Sequence, residues 1–205
     1  MTPPRSPASQ LLLVKYLVEA YGKERQLETA LKAQIALAKR PALREALVDH
    51  LKVTQDQIDG LGKRIDALDA RASQAAESPI PVVVGGAAKL VFTVANKALA
   101  AAKGPIQIFR GTSLADNELR NVRDCYWNEA EEIAHYRVIE AVAEELGDTV
   151  TLRIARRYRG EEEAMQVILA EQIKGLVHEV VEAELPVEKR PAQAKRSATR
   201  RPAAA

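Results

Sequence analysis

The strongest constraint on the fold is a set of long stretches in which apolar residues recur every three or four positions. Between about Ser9 and Lys39 this spacing is kept by Leu13, Leu17, Ala20, Leu27, Leu31 and Ala38. Such spacing predicts an amphipathic helix with one face packed against other helices. Glu24 falls on the same face. Ionised carboxylates are rarely buried without a partner, so Glu24 needs a chemical explanation.

A second stretch with the same spacing follows directly. Pro41 ends the first helix and suits the first turn of the next, which should run to about Arg71. Two long helices joined by a short proline turn form an antiparallel hairpin. Aromatic residues make up only 4% of the chain, which also favours helix over sheet.

A second hairpin is predicted near the end of the chain. Ser113 and Asp116 resemble a capping pair that opens a third long helix, which closes near Gly147. Asp148 can cap a fourth helix, which ends before Pro186. The spacing of apolar residues between these signals is again three or four.

Residues 73–113 interrupt the pattern with several prolines and glycines, and a shorter amphipathic helix is predicted at about 86–103. The order is hairpin, long crossover, hairpin. It predicts an all-α, ferritin-like antiparallel four-helix bundle whose crossover contains a short extra helix. The bundle should span residues 9–185, between a disordered N-terminal arm at 1–8 and a disordered basic tail at 186–205.

Basic residues outnumber acidic ones in the crossover and in the tail, whereas the two helical hairpins are acidic overall. The stretch 78–115 has four basic residues and no acidic one, and 187–205 has six against Glu188. Such tails bind phosphate backbones without reading sequence, so 189–201 is a candidate for weak, non-specific nucleic-acid contact. The helix at 86–103 could lie on an anionic membrane, although packing across the bundle is the simpler expectation, and its lysines argue against a transmembrane span.

The expected compartment is the cytoplasm. The single cysteine, Cys125, excludes an internal disulfide and fits a reducing environment. The N-terminus is polar and contains prolines, without the apolar segment of a secretory signal.

Acidic residues fall on the apolar faces of three predicted helices. Glu24 is joined by Glu129, Glu132 and His135 of the third long helix and by Glu162 of the fourth. Counting residues from the two turns places them near the middle of both hairpins. Carboxylates from facing helices, completed by a histidine nitrogen, hold iron or manganese in such bundles. These five residues therefore form the predicted metal site, with iron as the candidate ion and no catalytic side chain or organic cofactor assigned.

Several motifs together resemble the YciE/YciF-like branch of the ferritin-like superfamily. The resemblance covers about residues 10–72 and 115–180 and rests on these segments: Tyr21-Gly22-Lys23-Glu24-Arg25-Gln26-Leu27 with Ala30-Leu31, His50-Leu51 with Thr54 and Gln57, Glu132-Ile133-Ala134-His135-Tyr136 leading to Leu146-Gly147, and Glu161-Glu162-Glu163. It implies a ferritin-like bundle, often paired as a homodimer, with a di-metal centre and an association with stress responses.

The chain departs from that family pattern at two places. Family members can have a Glu-Glu-Thr-His-like stretch in the second helix, where this chain reads Lys52-Val53-Thr54-Gln55. In the fourth helix Met165 stands where the Glu-x-x-His template would place a histidine. A pair of ions, a single ion and no ion all stay open.

Two functions from different classes follow. The first is a stress-associated ferritin-like protein with a partly degenerate carboxylate site for iron. The alternative is a non-enzymatic structural or interaction protein that kept the bundle and lost the metal centre. In that case Arg123, Arg137 and Arg159 would pair with the acidic residues, and the basic insert and tail would bind nucleic acid, membrane or a partner.

Three further reactive side chains have simpler explanations. His50 lies in an apolar run and is expected to be a hydrogen-bonded core histidine, two turns from the metal level. His178 is near the end of the fourth helix and should be solvated or stabilise that end. Cys125 should be a small buried core residue.

Overall fold

The computed structural model of the protein describes residues 6–75 and 113–185. Within these ranges the chain forms four α-helices and no strand: α1 (Pro7–Leu37), α2 (Pro41–Ala75), α3 (Leu114–Glu145) and α4 (Thr149–Glu184). The all-α helical bundle predicted from the sequence is confirmed. The predicted helix at 86–103 and the tail at 186–205 lie outside the described residues. The N-terminal arm was expected to reach residue 8, whereas α1 begins at Pro7.

The helix starts follow the local sequence signals. Ser6 Oγ accepts a hydrogen bond from the backbone N–H of Ser9 at 3.2 Å, and Pro7 occupies the first turn of α1. Ser113 Oγ accepts in the same way from the N–H of Asp116 at 3.1 Å. These side chains satisfy N–H groups that have no partner within the helix. The capping pair predicted at the start of α3 is therefore confirmed.

The turn between α3 and α4 is set by Gly147 and Asp148. Gly147 has a φ of +66°, in the left-handed region where a Cβ is unfavourable. Its N–H donates to Glu144 O at 2.9 Å, and the N–H of Asp148 donates to Ala143 O at 2.6 Å, which closes the helix end. Asp148 Oδ1 then accepts from the N–H of Thr151 at 2.9 Å and caps α4.

The two hairpins pack side by side. α1 lies against α2 and α3 lies against α4, while α1 also contacts α3 and α2 also contacts α4. Glu118, near the start of α3, accepts from the backbone N–H of Arg40 at the α1–α2 turn. Arg64, in the second half of α2, pairs with Asp148 at the α3–α4 turn. α2 and α3 therefore run in the same direction, and α2 ends at the opposite end of the bundle from the start of α3.

The buried apolar residues form two clusters along the bundle axis. One includes Leu13, Leu17, Leu61, Ile65, Tyr136, Ile139 and Tyr158. The other includes Leu27, Leu31, Leu43, Leu47, Val122, Leu169 and Leu176. On each helix the two clusters are separated by polar positions, including Glu24 on α1 and Glu162 on α4. The fold thus places a polar layer between two apolar halves.

Candidate metal centre

All four helices contribute to this polar layer. It consists of Glu24 from α1, His50, Thr54 and Gln57 from α2, Glu129 and Glu132 from α3, and Glu162 from α4, and none of these residues is more than 5% exposed. The predicted acidic residues Glu24, Glu129, Glu132 and Glu162 are therefore all buried at one level. Such burial is rare for carboxylates and requires a compensating partner.

Three side chains of the layer converge closely. His50 Nε2 lies 3.0 Å from Glu129 Oε2 and 3.3 Å from Glu162 Oε2. One donor atom from each of these residues lies within 4.8 Å of the other two, a separation that suits a shared metal ion. At these distances a protonated His50 can form an ion pair with either carboxylate. The three groups thus point towards a common space.

Two neutral donors bind other atoms of the layer. Tyr136 Oη donates to Glu24 Oε1. Gln57 Nε2 donates to Glu162 Oε1 at 2.6 Å and to Glu161 Oε2 at 3.0 Å. The remaining oxygens lack hydrogen-bond partners: Glu24 Oε2, Glu162 Oε2, and both oxygens of Glu129 and Glu132. Buried polar atoms in folded proteins nearly always have partners, so these oxygens are available to bind a proton or a cation.

Burial and mutual repulsion shift the ionisation of the carboxyl groups. Burial raises the pKa of Glu24 well above 4.5, and the charge of Glu162 raises it further. Burial also raises the pKa of Glu132 strongly, with added repulsion from Glu24 and Glu162. The pKa of Glu129 rises to about 8, mainly through burial and against the opposing effect of His50. Without a bound cation, protons must therefore neutralise much of the layer.

The pKa values of Glu162 and His50 shift in the directions that favour an ion pair between the two side chains. Burial alone would raise the pKa of Glu162, but His50, Glu129 and Gln57 bring it below 4.5. Burial opposes protonation of His50, yet Glu129 and Glu162 raise its pKa to about 10. His50 is the basic side chain within ion-pairing distance of these carboxylates among the residues that the structure describes. One imidazolium balances one ionised carboxylate, so the other three carboxyl groups need protons or a bound cation.

The predicted ligand His135 is placed differently from the four glutamates. It is half-buried on α3, and burial lowers its pKa. The charges that act on it are those of Glu131, Glu19 and Lys23. Lys23 lies next to Glu24 in sequence but pairs with Glu131, with Nζ 2.6 Å from Oε2. The structure therefore does not bring His135 into the group of three donors that includes His50.

His50 is the residue that sequence reasoning misplaced. It was expected two turns from the metal level as a hydrogen-bonded core histidine, whereas its Nε2 lies 3.0 Å from Glu129. The hydrogen bond between Arg40 and Glu118 places the starts of α2 and α3 side by side. His50 lies 10 residues beyond Arg40 and Glu129 lies 11 beyond Glu118, so two helices that run in the same direction bring these side chains to one height. The available signal was its position on the inward face of α2, in step with Leu43, Leu47 and Thr54.

The arginines considered as partners for these glutamates pair elsewhere. Arg123 contacts Asp124 at 2.9 Å, Arg137 contacts Glu163 at 3.1 Å, and Arg159 contacts Glu140 at 2.5 Å. Within residues 6–75 and 113–185, none of these arginines forms an ion pair with a buried glutamate of the layer. A salt-bridge network through them therefore does not neutralise the layer.

Two other predictions about reactive side chains agree with the structure. Cys125 is buried in an apolar cluster, and burial together with Glu129 raises the pKa of its thiol to about 12, so the thiol stays protonated. His178 is exposed on the last third of α4, 3.5 Å from Glu182. Neither residue belongs to the polar layer.

The fold and this layer define an all-α helical bundle with a buried group of one histidine and two glutamates that can bind a metal ion. Residues 9–80 match the family described as "Domain of unknown function (DUF892)", a ferritin-like family of the YciF type. The resemblance inferred from the sequence is thereby confirmed over the first helical hairpin. No curated protein matches the chain.

Two solved structures share the fold. A Xanthomonas campestris pv. campestris protein (XCC3681) is 23% identical with a TM-score of 0.61, and the alignment covers 86% of this chain and 98% of that one. YcfI from Rhodopseudomonas palustris is 24% identical with a TM-score of 0.52, covering 83% of this chain and 97% of that one. At such identities the likeness shows the helical architecture alone.

In the described part of the chain, no helix is both long and apolar enough to cross a membrane.

Proposed function

We propose that this protein binds a divalent transition metal ion in the polar layer, with iron as the candidate. His50, Glu129 and Glu162 would hold one ion, and Glu24 and Glu132 offer further carboxylate oxygens beside it. The observation that carries the proposal is the convergence of His50 Nε2 with buried carboxylate oxygens of Glu129 and Glu162, beside further carboxylate oxygens that no hydrogen-bond donor reaches. Imidazole with carboxylates suits iron, manganese and zinc.

The residues around the layer favour metal retention. The apolar clusters on both sides exclude water, which strengthens the attraction between the carboxylates and a cation. Divalent ions would replace the protons that neutralise Glu24, Glu129 and Glu132 in their absence. A bound iron ion would supply Lewis acidity and redox chemistry, while the chain itself binds and orients the ion.

Metal content per chain tests this proposal. The protein is loaded anaerobically with Fe(II), desalted and analysed, with Mn(II) and Zn(II) in parallel. We expect retained iron in the wild type and none in the double variant Glu129→Gln/Glu132→Gln, with helicity unchanged. Glu171→Gln, which removes an exposed carboxylate, is the matched control and should retain metal. Equal metal content in wild type and double variant would contradict the proposal.

The association with stress responses, which the family resemblance implies, is part of this proposal. If the protein withdraws iron from reaction with peroxide, a strain lacking it should be more sensitive to combined iron and peroxide. Complementation by the wild-type chain, but not by Glu129→Gln/Glu132→Gln, should restore resistance. Equal complementation by both chains would separate any stress role from the metal site.

We further propose that the chain forms a homodimer. Two large apolar side chains, Trp127 (71% exposed) and Val138 (44% exposed), lie on the outer side of α3, three turns apart. Three whole turns bring both side chains to one face of α3, and a second copy of the chain packed on that face would cover them. Sedimentation velocity should give a dimer mass for the wild type and a monomer mass for Trp127→Glu. A monomer mass for both proteins argues against the dimer.

The alternative function is a structural or interaction protein whose basic segments bind a partner. Its specific prediction concerns residues 189–201, which lie outside the described residues. A nucleic-acid titration at several salt concentrations should show binding that weakens as salt rises and that is lost when 187–205 are deleted. No salt-sensitive loss on deletion removes this idea. A wild type that retains no metal would make it the better explanation.

A further inference from the structure

Two of the four buried glutamates differ from the others in their hydrogen bonds. Glu24 and Glu162 each have one oxygen bound by a neutral donor, Tyr136 Oη and Gln57 Nε2 respectively, and one oxygen without a partner. No neutral donor binds either oxygen of Glu129 or Glu132, and the contact of Glu129 Oε2 is with His50 Nε2 at 3.0 Å. The layer therefore contains two carboxylates with one available oxygen and two with both available.

The two donors are themselves held in place. Tyr136 is fully buried, and its ring meets the ring of Tyr158 edge-on, with 5.6 Å between centroids. Gln57 is 1% exposed, and its amide also donates to Glu161 Oε2 at 3.0 Å. A buried donor with a fixed side chain limits the rotation of the carboxylate that it binds. Such outer contacts orient metal ligands and affect metal affinity.

We propose that Tyr136 and Gln57 are positioning residues of the metal site. Tyr136 holds Glu24, and Gln57 holds Glu162, so that each presents one oxygen to the ion. Glu129 and Glu132 have no such donor and can use both oxygens. This inference rests on the proposed metal-binding function. It adds that Glu24 and Glu162 would each bind the ion through one oxygen, whereas Glu129 and Glu132 could bind it through two.

The first test measures Mn(II) affinity by titration, with the electron paramagnetic resonance signal of free Mn(II) as the readout. Tyr136→Phe removes the hydroxyl and keeps the ring, and we expect binding to weaken about 10–100-fold. Tyr158→Phe is the matched control, since it removes a buried tyrosine hydroxyl that lies against Gly60 and keeps the ring that packs on Tyr136. Its affinity should stay within about two-fold of the wild type.

A double-variant cycle separates positioning from general packing. If Tyr136 acts through Glu24, then Tyr136→Phe should have no further effect in a Glu24→Gln background, because the carboxylate that it positions is already changed. A purely structural role would lower affinity equally in both backgrounds. Additive effects therefore overturn the proposal for Tyr136.

The same design applies to α2. Gln57→Leu should weaken Mn(II) binding, and the effect should vanish in a Glu162→Gln background. Gln55→Leu is the matched control, because Gln55 is exposed and donates at 3.2 Å to Glu28, away from the layer. If Gln57→Leu does not fold, as judged by circular dichroism, the conservative Tyr136→Phe cycle still decides the inference.

The outcomes distinguish this inference from the proposed function. Absence of Mn(II), Fe(II) and Zn(II) binding in the wild type contradicts the metal site itself. Binding by the wild type that is unchanged in Tyr136→Phe and Gln57→Leu contradicts the positioning roles alone. Weakened binding in both variants, with non-additive cycles, supports both.

Discussion

At the level of single side chains, His50 distinguishes this layer from a simple carboxylate cluster. Its imidazole is the one that lies among the buried glutamates of the described chain, and it faces Glu129 and Glu162 at 3.0 and 3.3 Å. In di-iron bundles of the familiar type, two Glu-x-x-His motifs supply the nitrogens. Here α4 has Met165 at the corresponding position, and the imidazole that faces the buried carboxylates belongs to His50 of α2.

Replacing either histidine tests which nitrogen binds metal. His50→Gln should weaken metal binding at least about ten-fold, or about 1.4 kcal/mol, because a ligand and the local positive charge are lost together. His135→Gln removes the half-buried histidine predicted from the Glu-x-x-His spacing and should leave affinity nearly unchanged. Isothermal titration with Zn(II) measures both. The reverse order of effects would restore His135 as the ligand.

Gly60 is required by the close approach of Tyr158. A Cβ added at Gly60 would lie 1.8 Å from Tyr158 Oη, so the ring would have to move. Gly60→Ala should destabilise the metal-free protein by about 1–3 kcal/mol through overpacking. Gly160→Ala, on α4 with nothing within 4 Å of the added Cβ, should instead gain up to about 1 kcal/mol of helix propensity. Urea unfolding compares the two, and equal effects would contradict this account.

At the level of the helices, the α3–α4 turn connects local capping to long-range packing. Asp148 caps α4 and also pairs with Arg64 of α2, with Nη2 2.5 Å from Oδ2. Arg64 Nε donates to Thr151 Oγ1 at 2.8 Å. All three side chains are buried. This contact fixes α2 against the second hairpin and so helps set the height at which His50 meets α3 and α4.

Replacing Asp148 should therefore lower the free energy of unfolding by more than the loss of a helix N-cap alone does. Asp148→Ala is expected to lower the free energy of unfolding by about 3–5 kcal/mol, because the buried guanidinium loses its carboxylate. Ser113→Ala removes the cap of α3 without a buried ion pair and should cost about 1 kcal/mol. Chemical denaturation of metal-free protein measures both. Similar losses in the two variants would mean that the Arg64 contact adds little.

For the bundle as a whole, the polar layer makes stability depend on pH. The pKa values of Glu24, Glu129 and Glu132 are raised in the folded state, that of Glu129 to about 8. The folded state therefore keeps protons that the unfolded state has released above its pKa of about 4.5. This contribution to stability is present below pH 4.5 and is lost as pH rises through about 8. Glu162, with its lowered pKa, has the opposite sign.

We expect metal-free protein, prepared with a chelator, to lose stability between about pH 5 and pH 8. Protonated His50 adds to the same trend, because its contribution declines as pH rises towards its pKa of about 10. Mn(II) should reverse the slope, since deprotonated carboxylates bind the ion more tightly. Melting temperatures across this range test both parts. Glu129→Gln should flatten the metal-free curve, and a wild-type stability that rises with pH would contradict the assignment.

Local sequence signals were sufficient for the helices and for the four acidic side chains of the layer. Apolar spacing, Pro41, the Ser113 cap and Gly147 act within a few residues, so they specify each helix without knowledge of its neighbours. The same periodicity placed the four glutamates on inward faces, because the direction of a side chain on a helix follows from its position in the turn.

The relative height and rotation of the four helices could be decided only in three dimensions. They result from the combined packing of both apolar clusters and from distant contacts such as Arg64 with Asp148. Those contacts bring His50 to Glu129, leave His135 outside the group, and pair the surface arginines elsewhere. A shift of one helical turn moves a side chain by about 5.4 Å along the helix axis, which is enough to remove a side chain such as His50 from contact with the carboxylates.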